Sequence, residues 1–293
     1  MRIVAAAGEL RDALAPARRE ARTIGLVPTM GALHEGHSSL LRAASAECDV
    51  AVMSLFVNPA QFGPGEDLAR YPRDRERDAA LAADAGVDLV YAPAAEEVYP
   101  AGFSTTVEVG GLTDVLCGDP NRRGRGHFRG VTTIVAKLLN LVEPDVAYFG
   151  QKDAQQAVVI KRMATDLDYG ARIAVLPTVR EPDGLAMSSR NAYLTPADRR
   201  RAPALHRALR AAADVAVPGA AARDALAAAR AELSGAGIEP EYLEARDAED
   251  LSPVEAFNGR PALIALAARL GDARLIDNVV VGATTDPGGQ ENR

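Results

Sequence analysis

The feature that most constrains the fold is an alternation of short apolar runs with helical patterns in the first half of the chain. Each run is nearly all apolar, which is typical of strands buried on both faces of a sheet. The candidate strands are Thr23–Pro28, Asp49–Val57, Val87–Ala92, Asp145–Phe149 and Ala171–Leu176. The candidate helices between them are Gly36–Glu47, Asp74–Ala85, Gly130–Leu141 and Asp153–Leu167. This order predicts an α/β fold with a doubly wound parallel sheet and right-handed crossovers.

Two further segments lie within this half. Ser104–Gly111 alternates Thr, Val, Glu and Val, a pattern that predicts one more strand. Gly118–Gly130 is rich in Gly and Arg, which indicates a loop.

The pattern changes after about Val179. Thr195 and Pro196 are typical of a helix start, because Thr caps free N–H groups and Pro suits the first helical position. Alanine-rich helices are predicted over Pro196–Val215 and Ala221–Leu233. Turns too short for crossover helices join three runs that predict an antiparallel sheet: Tyr242–Arg246, Ala262–Ala267 and Arg274–Val281. We therefore predict a domain over 1–178, a smaller α+β domain over 179–283 and a disordered tail over 284–293.

Composition excludes several classes of protein. The net charge is −7 and the arginines are scattered, so the chain lacks the basic stripe of a nucleic-acid binder. No apolar run reaches the ~18 residues of a membrane span. Cys48 and Cys117 make neither a disulfide framework nor a metal-spaced pair, so we expect no metal site built by the protein and a cytoplasmic location. Only Lys137, Lys152 and Lys161 are lysines, which makes the position of each one informative.

Ligands of open parallel sheets bind outside the carboxyl ends of the strands. The segments that follow the candidate strands are therefore the candidate binding segments. The segment Pro28–His37 runs from a strand into a helix and holds two of the four histidines, His34 and His37. Its glycines permit a tight turn, and the helix start offers N–H groups to a phosphate. The alternatives are packing at a helix start or an incomplete metal site.

Asn58–Phe62 follows the second strand and places the Gln61 amide near the strand end, although Asn58 followed by Pro can simply start a turn. Gly150–Gln156 follows the fourth strand, where Lys152 suits the oxygens of a triphosphate. Asp153 and Gln156 also have the spacing of a helix capping box, so a structural role for Gln156 stays open.

The fourth segment, Met187–Arg190, offers two hydroxyls and a guanidinium to an anion, or is a solvated linker. Together the four segments supply hydrogen-bond donors and cations, with no Ser-His-Asp triad and no carboxylate pair. Such a pocket suits a reaction that builds negative charge on phosphate, such as attack on the ATP α-phosphate with pyrophosphate leaving.

His34-Glu-Gly-His37 resembles the HxGH signature of the nucleotidyltransferase superfamily, and Met187–Arg190 resembles its KMSKS-like loop. The phrases VPTMGALHEGH, SLFVNPAQF, GHFRGVTTIVAKL, YFGQKDAQQ and DGLAMSSRNAYL resemble the pantoate–β-alanine ligase family, from about Ile24 to Val281. The resemblance implies a cytoplasmic homodimer with a Rossmann-like first domain that binds nucleotide and pantoate, and a second domain that closes over the site. It also implies ATP-dependent condensation of (R)-pantoate with β-alanine through a pantoyl adenylate, with Mg²⁺ on the phosphates.

By the same resemblance His37 is the catalytic proton donor, with His34 and Lys152 beside it on the phosphates. Gln61 and Gln156 hold pantoate, and Gln61 also touches β-alanine. The residues implied to contact ATP are Met30, Gly31, Ala32, Leu33, His34, Glu35, Gly36, His37, Gly150, Gln151, Lys152, Asp153, Val179, Met187, Ser188, Ser189 and Arg190.

The chain departs from the family pattern in two places. Gln151 stands where the family usually has Glu, which removes a charge beside Lys152. The family's loop often reads RPGHF, whereas Gly124–Phe128 reads GRGHF here, so the usual arginine corresponds to Arg122, Arg123 or Arg125.

Three other functions fit part of the pattern. Another HxGH adenylyltransferase would hand AMP to a phosphate ester and would not need Gln61 and Gln156. A tRNA-charging module shares the superfamily motifs, but the −7 charge and the missing anticodon-domain pattern disfavour it. A nucleotide sensor would bind ATP without turnover.

Overall fold

The central sheet of the computed structural model, which describes residues 1–63 and 65–282, is built from the apolar runs of the first half. Its six strands are β1 (Arg2–Val4), β2 (Ile24–Thr29), β3 (Val50–Leu55), β4 (Leu89–Tyr91), β5 (Val146–Gly150) and β6 (Arg172–Leu176). They run in the order β1-β4-β3-β2-β5-β6, and every neighbouring pair is parallel. The predicted doubly wound parallel sheet is confirmed.

Helices connect these strands. They are α1 (Ala7–Arg19), α2 (Glu35–Glu47), α3 (Arg75–Asp84), α4 (Ala95–Val98), α5 (Arg125–Val142) and α6 (Ala154–Asp166). The chain runs from β2 to β3 and β4 on one side, and β5 and β6 lie on the other side, so strand order reverses at β2 and β5. Such a reversal leaves a crevice at the carboxyl ends of the strands.

The pairing of β2 with its two neighbours is unequal. β2 pairs with β3 at six positions, from Ile24 with Val50 to Thr29 with Leu55. It pairs with β5 at only two, Gly25 with Val146 and Leu26 with Ala147. Because β2 and β5 part before their carboxyl ends, the crevice opens between them.

The second part of the chain has its own core. Its helices are α7 (Pro196–Arg201), α8 (Ala204–Val215) and α9 (Ala222–Gly235), and its strands are β7 (Pro240–Asp247), β8 (Ala262–Leu270) and β9 (Ala273–Val281). The strands form an antiparallel sheet in the order β7-β8-β9, as predicted. Alanines such as Ala208, Ala225 and Ala229 are fully buried, which lets α8 and α9 pack closely.

The described residues form two compact units. The first is Met1–Pro182 with Ala186–Ala192, and the second is Asp183–Leu185 with the chain from Tyr193. The segment that contains Met187–Arg190 belongs to the first unit, where the Met187 N–H donates to the Val179 carbonyl, 3.0 Å away. The predicted boundary at 178 stays a prediction, and the predicted tail 284–293 lies outside the described residues. No helix among the described residues has the length and apolarity to cross a membrane.

Four details differ from the sequence predictions. Ser104–Gly111 forms no strand: it lies along α5, where the Val107 N–H donates to Thr133 Oγ1 and the Val107 carbonyl accepts from Thr132 Oγ1. The predicted loop Gly118–Gly130 ends early, since α5 begins at Arg125.

The predicted helix Pro196–Val215 breaks at Pro203, which lacks the N–H that a continuous helix needs. The sequence patterns also missed β1 and α1: the strand has only three residues, and the helix contains Pro16.

Candidate active site

A cavity of about 220 Å³ lies in the first unit at the carboxyl ends of β2 and β5. It contains members of all four predicted segments. The predicted residues that line it are Met30, His34, Gly36, His37, Gln61, Gly150, Lys152, Asp153, Gln156, Val179, Met187, Ser188, Ser189 and Arg190. Gly31, Ala32, Leu33, Glu35 and Gln151 are outside the lining, and their contact with ATP stays a prediction.

The two histidine rings lie close together at the start of α2, tilted by 38° to each other. His34 is the N-cap residue, its ring lies 4.1 Å from the His37 ring between centroids, and its backbone N–H donates to His37 Nδ1 at 3.4 Å. Gly36 makes this arrangement possible, since a Cβ there would lie 2.9 Å from His34 Cε1. The glycine of the signature is therefore needed for the close approach of an imidazole.

Both histidines are neutral at pH 7. Burial, aided by the charge of Lys152, lowers the pKa of His34 to about 4 and the pKa of His37 to about 3. Each neutral ring still donates one N–H and accepts at its other nitrogen. His34 Nδ1 is buried without a hydrogen-bond partner among the described residues.

The loop between β2 and α2 explains why three predicted contacts lie outside the cavity. Gly31 and Ala32 have φ values of +83° and +51°, in the left-handed region. The N–H groups of Ala32 and Leu33 donate to the Asp78 carboxylate of α3 at 2.9 and 2.8 Å. The loop therefore turns these groups towards α3 and presents only Met30 and His34, at its two ends, to the cavity.

Gln61 is positioned by a turn that the buried Asn58 side chain holds. Asn58 Oδ1 accepts from the Ala60 N–H and from the Tyr99 hydroxyl, and Asn58 Nδ2 donates to the Gly130 carbonyl. A Cβ on Gly130 would lie 2.2 Å from the Ala60 carbonyl oxygen, so α5 meets the turn at a contact that only glycine allows. Asn58 thus organises the turn, as one interpretation held, and also lines the cavity.

Lys152 and Asp153 follow β5 in a single turn of 3₁₀ helix. Lys152 Nζ lies 3.6 Å from Asp153 Oδ2. Burial raises the pKa of the Asp153 carboxyl, but Lys152 and Arg190 outweigh it and leave this pKa below its ordinary value. The cavity therefore holds one carboxylate that stays ionised among cations.

The capping interpretation of Gln156 is wrong. Asp153 is the N-cap residue of α6 but makes no side-chain capping bond, and Gln156 lines the cavity. The neighbouring Gln155 has the structural role instead: its amide accepts from the Cys117 N–H and donates to the Leu112 and Val115 carbonyls.

Lys152 is the only lysine that lines the cavity described here. Lys161 is exposed on α6, and Lys137 Nζ lies 4.8 Å from the centroid of the Phe103 ring. Of the three lysines, Lys152 at the strand end is the one that lines the cavity, and its contact with phosphate stays a prediction.

Arg190 reaches the cavity held by an acid. Its Nε and Nη2 donate to the two carboxylate oxygens of Asp67 at 3.0 and 3.1 Å, and its guanidinium carbon lies 6.0 Å from the centroid of Tyr71. Tyr71 also approaches Ser189, with its hydroxyl 3.4 Å from Ser189 Oγ. The predicted phosphate loop is thus tied to the segment that carries Asp67.

The structure shows which of Arg122, Arg123 and Arg125 lies beside the cavity. Arg123 lines the cavity and pairs with Glu66 through Nε at 2.8 Å and Nη2 at 2.5 Å. Arg122 donates to the Leu116 carbonyl at 2.8 Å, and Arg125 pairs with Asp114. Of the three, Arg123 is the one beside the site.

Sequence reasoning missed His127 as a site residue, although the phrase GHFRG contains it. Its Nδ1 lies 2.8 Å from the Gln61 carbonyl oxygen and its Nε2 lies 3.3 Å from Arg123 Nη1. Burial lowers the pKa of His127 to about 4, so the ring is neutral at pH 7. Sequence reasoning also missed the apolar side chains of α5 that line the cavity: Val131, Ile134, Val135 and Leu138.

Comparison with known proteins shows the family to which the chain belongs. The Pantoate-beta-alanine ligase family model matches residues 2–280. Pantothenate synthetase of Moorella thermoacetica is 56% identical over 285 residues, which cover 96% of this chain and 99% of that protein.

Two solved structures of similar proteins share this fold. Pantothenate synthetase from Thermus thermophilus has a TM-score of 0.88 at 48% identity, covering 95% of this chain and 99% of that one. Pantoate-β-alanine ligase from Francisella tularensis, complexed with beta-gamma ATP and β-alanine, has a TM-score of 0.79 at 33% identity, covering 96% and 97%. A full-length family match, close relatives and a shared fold lead to one conclusion: the chain belongs to the pantoate–β-alanine ligase family.

Proposed function

We propose that this chain condenses (R)-pantoate with β-alanine at the expense of ATP, releasing pantothenate, AMP and pyrophosphate. The observation that carries the proposal is the convergence of His34, His37, Lys152, Gln61 and Gln156 on one cavity, in a chain of this family. Cationic and N–H donors suit the phosphates, and two amides suit a small hydroxy acid.

In the first step a carboxylate oxygen of pantoate attacks the α-phosphorus of ATP. A new P–O bond forms, the bond to the bridging oxygen breaks, and pyrophosphate leaves with the electron pair. Negative charge grows on the phosphate oxygens, where Lys152 and the histidines donate. His37 acts first as a neutral hydrogen-bond donor, because its pKa of about 3 leaves it unprotonated at pH 7. The approach of the triphosphate favours its charged form, so proton donation follows binding.

In the second step the β-alanine amine attacks the acyl carbon of pantoyl adenylate. The C–N bond forms, the C–O bond to AMP breaks and AMP leaves with the electron pair, and the amine's proton passes to solvent water. Gln61 and Gln156 hold the pantoate hydroxyl and carbonyl groups, and the apolar side chains of α5 pack against its two methyl groups. These groups keep the acyl carbon in place and limit the access of water.

Mg²⁺ fits this site as a companion of ATP. The described residues contain no group of three or more His, Cys, Asp or Glu side chains placed to hold a metal ion. Mg²⁺ is commonly held by phosphates, water and one or two carboxylates, and Asp153 is the carboxylate that lines the cavity. Asp153 would hold the ion, whose charge offsets that of the phosphates.

The family resemblance supports a homodimer that acts in the cytoplasm. Sedimentation equilibrium of the purified chain tests the dimer. A single species at the monomer mass, at the concentrations used for assay, would contradict it.

A coupled assay tests the reaction itself. AMP and pyrophosphate are followed with ATP, pantoate and β-alanine present, and each substrate is then omitted in turn. We expect AMP release to require both pantoate and β-alanine. Transfer of AMP onto a stable product, or tight ATP binding with no turnover, would overturn the proposal in favour of another adenylyltransferase or a nucleotide sensor.

A further inference from the structure

Asp78 is a buried carboxylate that the proposed reaction does not use directly. It lies on α3 with 1% of its surface exposed, and it is 45 and 46 residues away in sequence from the two groups it binds. Its Oδ2 accepts from the Ala32 N–H at 2.9 Å and its Oδ1 accepts from the Leu33 N–H at 2.8 Å. Both oxygens of the Asp78 carboxylate therefore accept hydrogen bonds from adjacent backbone N–H groups of the loop before α2.

The backbone of that loop needs such support. Ala32 is a non-glycine residue at φ +51°, and it directly follows Gly31 at φ +83°. Left-handed backbone costs free energy for a residue with a Cβ, so Ala32, unlike Gly31, needs bonds that hold it in this conformation. Charge-assisted bonds from buried N–H groups to a carboxylate are among the stronger ones available.

The same contact decides where an anion can bind. Consecutive backbone N–H groups in a turn form a site that attracts phosphate. Here the protein's own carboxylate occupies the N–H groups of Ala32 and Leu33, so those groups are not offered to ATP. The donors that remain at this end of the cavity are the His34 and His37 rings and the N–H groups at the start of α2.

We propose that Asp78 is a positioning residue for the ATP half-reaction. Its carboxylate fixes the loop so that His34 and His37 face the phosphates, and it directs the phosphates to them by closing the competing backbone site. This inference rests on the proposed function, because it concerns the step in which ATP and pantoate react.

The test is pantoate-dependent exchange of labelled pyrophosphate into ATP, measured with Asp78→Asn. The amide has the same volume but presents an N–H₂ group to one of the two backbone donors. We expect kcat/KM for ATP in the exchange to fall about 10-fold or more, with a raised KM for ATP, while the KM for β-alanine in the full reaction changes less than about 2-fold. Thermal unfolding reports the folded fraction of each preparation.

Asp145→Asn is the matched control. Asp145 Oδ2 accepts from the Ile24 N–H at 2.7 Å, so it also ties β2 to a carboxylate, but at the end of the strand away from the cavity. We expect this control to lower the stability and leave the KM for ATP unchanged. Equal KM values for ATP in Asp78→Asn and the wild type would overturn the proposal.

Gly31→Ala covers the case in which Asp78→Asn does not fold. The added Cβ would lie 2.8 Å from Asp78 Oδ2, so it pushes on the carboxylate from the loop side. We expect the same selective rise in the KM for ATP, and an unchanged value overturns the proposal. Exchange by the wild type separates the two hypotheses: no pantoate-dependent exchange refutes the function, whereas normal exchange with insensitive variants refutes only the role of Asp78.

Discussion

The floor and the rim of the cavity are held by different kinds of bonds. We call the floor the β2–α2 loop with the Asn58–Gln61 turn, and the rim the segments with Glu66, Asp67 and Arg190. The floor is fixed by two buried side chains, Asp78 and Asn58, and by the close contact between Gly130 and Ala60. The rim is held by partly exposed ion pairs, Glu66 with Arg123 and Asp67 with Arg190.

This difference has an energetic meaning. A buried polar group that loses its partner pays the full cost of desolvation, so the floor has one arrangement. The ion pairs of the rim keep some contact with water, so salt weakens them and the rim can exchange its partners when a charged ligand arrives. We therefore expect the floor to supply preorganised donors and the rim to respond to substrate.

The largest effects are expected at two phosphate donors next to the floor, His37 in α2 and Lys152 after β5. His37→Ala and Lys152→Ala should each lower kcat by about 10²-fold or more, because each removes a fixed donor to the charge that grows on phosphate. Pre-steady-state measurement of adenylate formation checks this. Lys161→Arg is the control on the exposed side of α6, where we expect less than about a 2-fold change. An unchanged adenylation rate in His37→Ala would break the assignment of the floor.

The second largest effect is expected at the contact between Gly130 and Ala60, which supports the turn that carries Gln61. In Gly130→Ala the new Cβ would lie 2.2 Å from the Ala60 carbonyl oxygen, so the turn or α5 must move. We expect a loss of about 1–3 kcal/mol in the free energy of unfolding and a rise in the KM for pantoate of several fold. Gly126→Ala on the same helix, with open space around its Cβ, is the control. If both variants have the same KM for pantoate, the turn is not fixed in the way we describe.

The histidines make the stability of the floor depend on pH. The pKa values of about 4 for His34 and about 3 for His37 lie below the ordinary value of 6.5, so the unfolded chain binds protons more readily than the folded chain. Their neutral burial therefore stabilises the fold above pH 6.5, and that contribution is lost as the pH falls from 6.5 towards 4. Urea unfolding between about pH 4 and 7 measures the slope, which His34→Gln with His37→Gln should reduce. An unchanged slope would show that these rings are not the source.

The smallest effect is expected at the rim. Asp67→Asn removes the acid that pairs with Arg190 and also removes a negative charge near incoming triphosphate. We expect the KM for ATP to fall about 2- to 5-fold at low salt, with a stability change of about 1 kcal/mol or less. Asp67→Glu keeps the charge and serves as the control.

Limited proteolysis of the wild type tests whether the rim closes over bound substrates. The loop Met187–Arg190 is our candidate lid, so ATP with pantoate should protect it. Equal cleavage rates with and without these substrates would mean that the rim does not close.

The site residues that could be predicted from the sequence are those that come directly after the strands. His34, His37, Gln61 and Lys152 each follow a strand of a parallel sheet, and the geometry of such a sheet brings those ends together. The sequence patterns could not identify Arg123 among three nearby arginines, because the path of an irregular loop decides which one turns inwards. Asp78 was equally hidden: nothing local distinguishes a helix carboxylate that folds against a distant loop from one that faces water. The strand predicted at Ser104–Gly111 failed because Thr132 and Thr133 bind its backbone in place of a neighbouring strand.

The short pairing between β2 and β5 has a consequence for how this chain avoids mispairing. Proline cannot donate a backbone hydrogen bond and is normally confined to the edges of sheets, yet Pro28 stands in β2, which has a neighbour on each side. It lies beyond the last residues that β2 shares with β5, and it lines the cavity. Beyond Leu26, β2 therefore has no hydrogen-bonded neighbour on the β5 side, as at the edge of a sheet. A ligand site of this kind needs an open edge inside a sheet, and the proline protects that edge from a foreign strand.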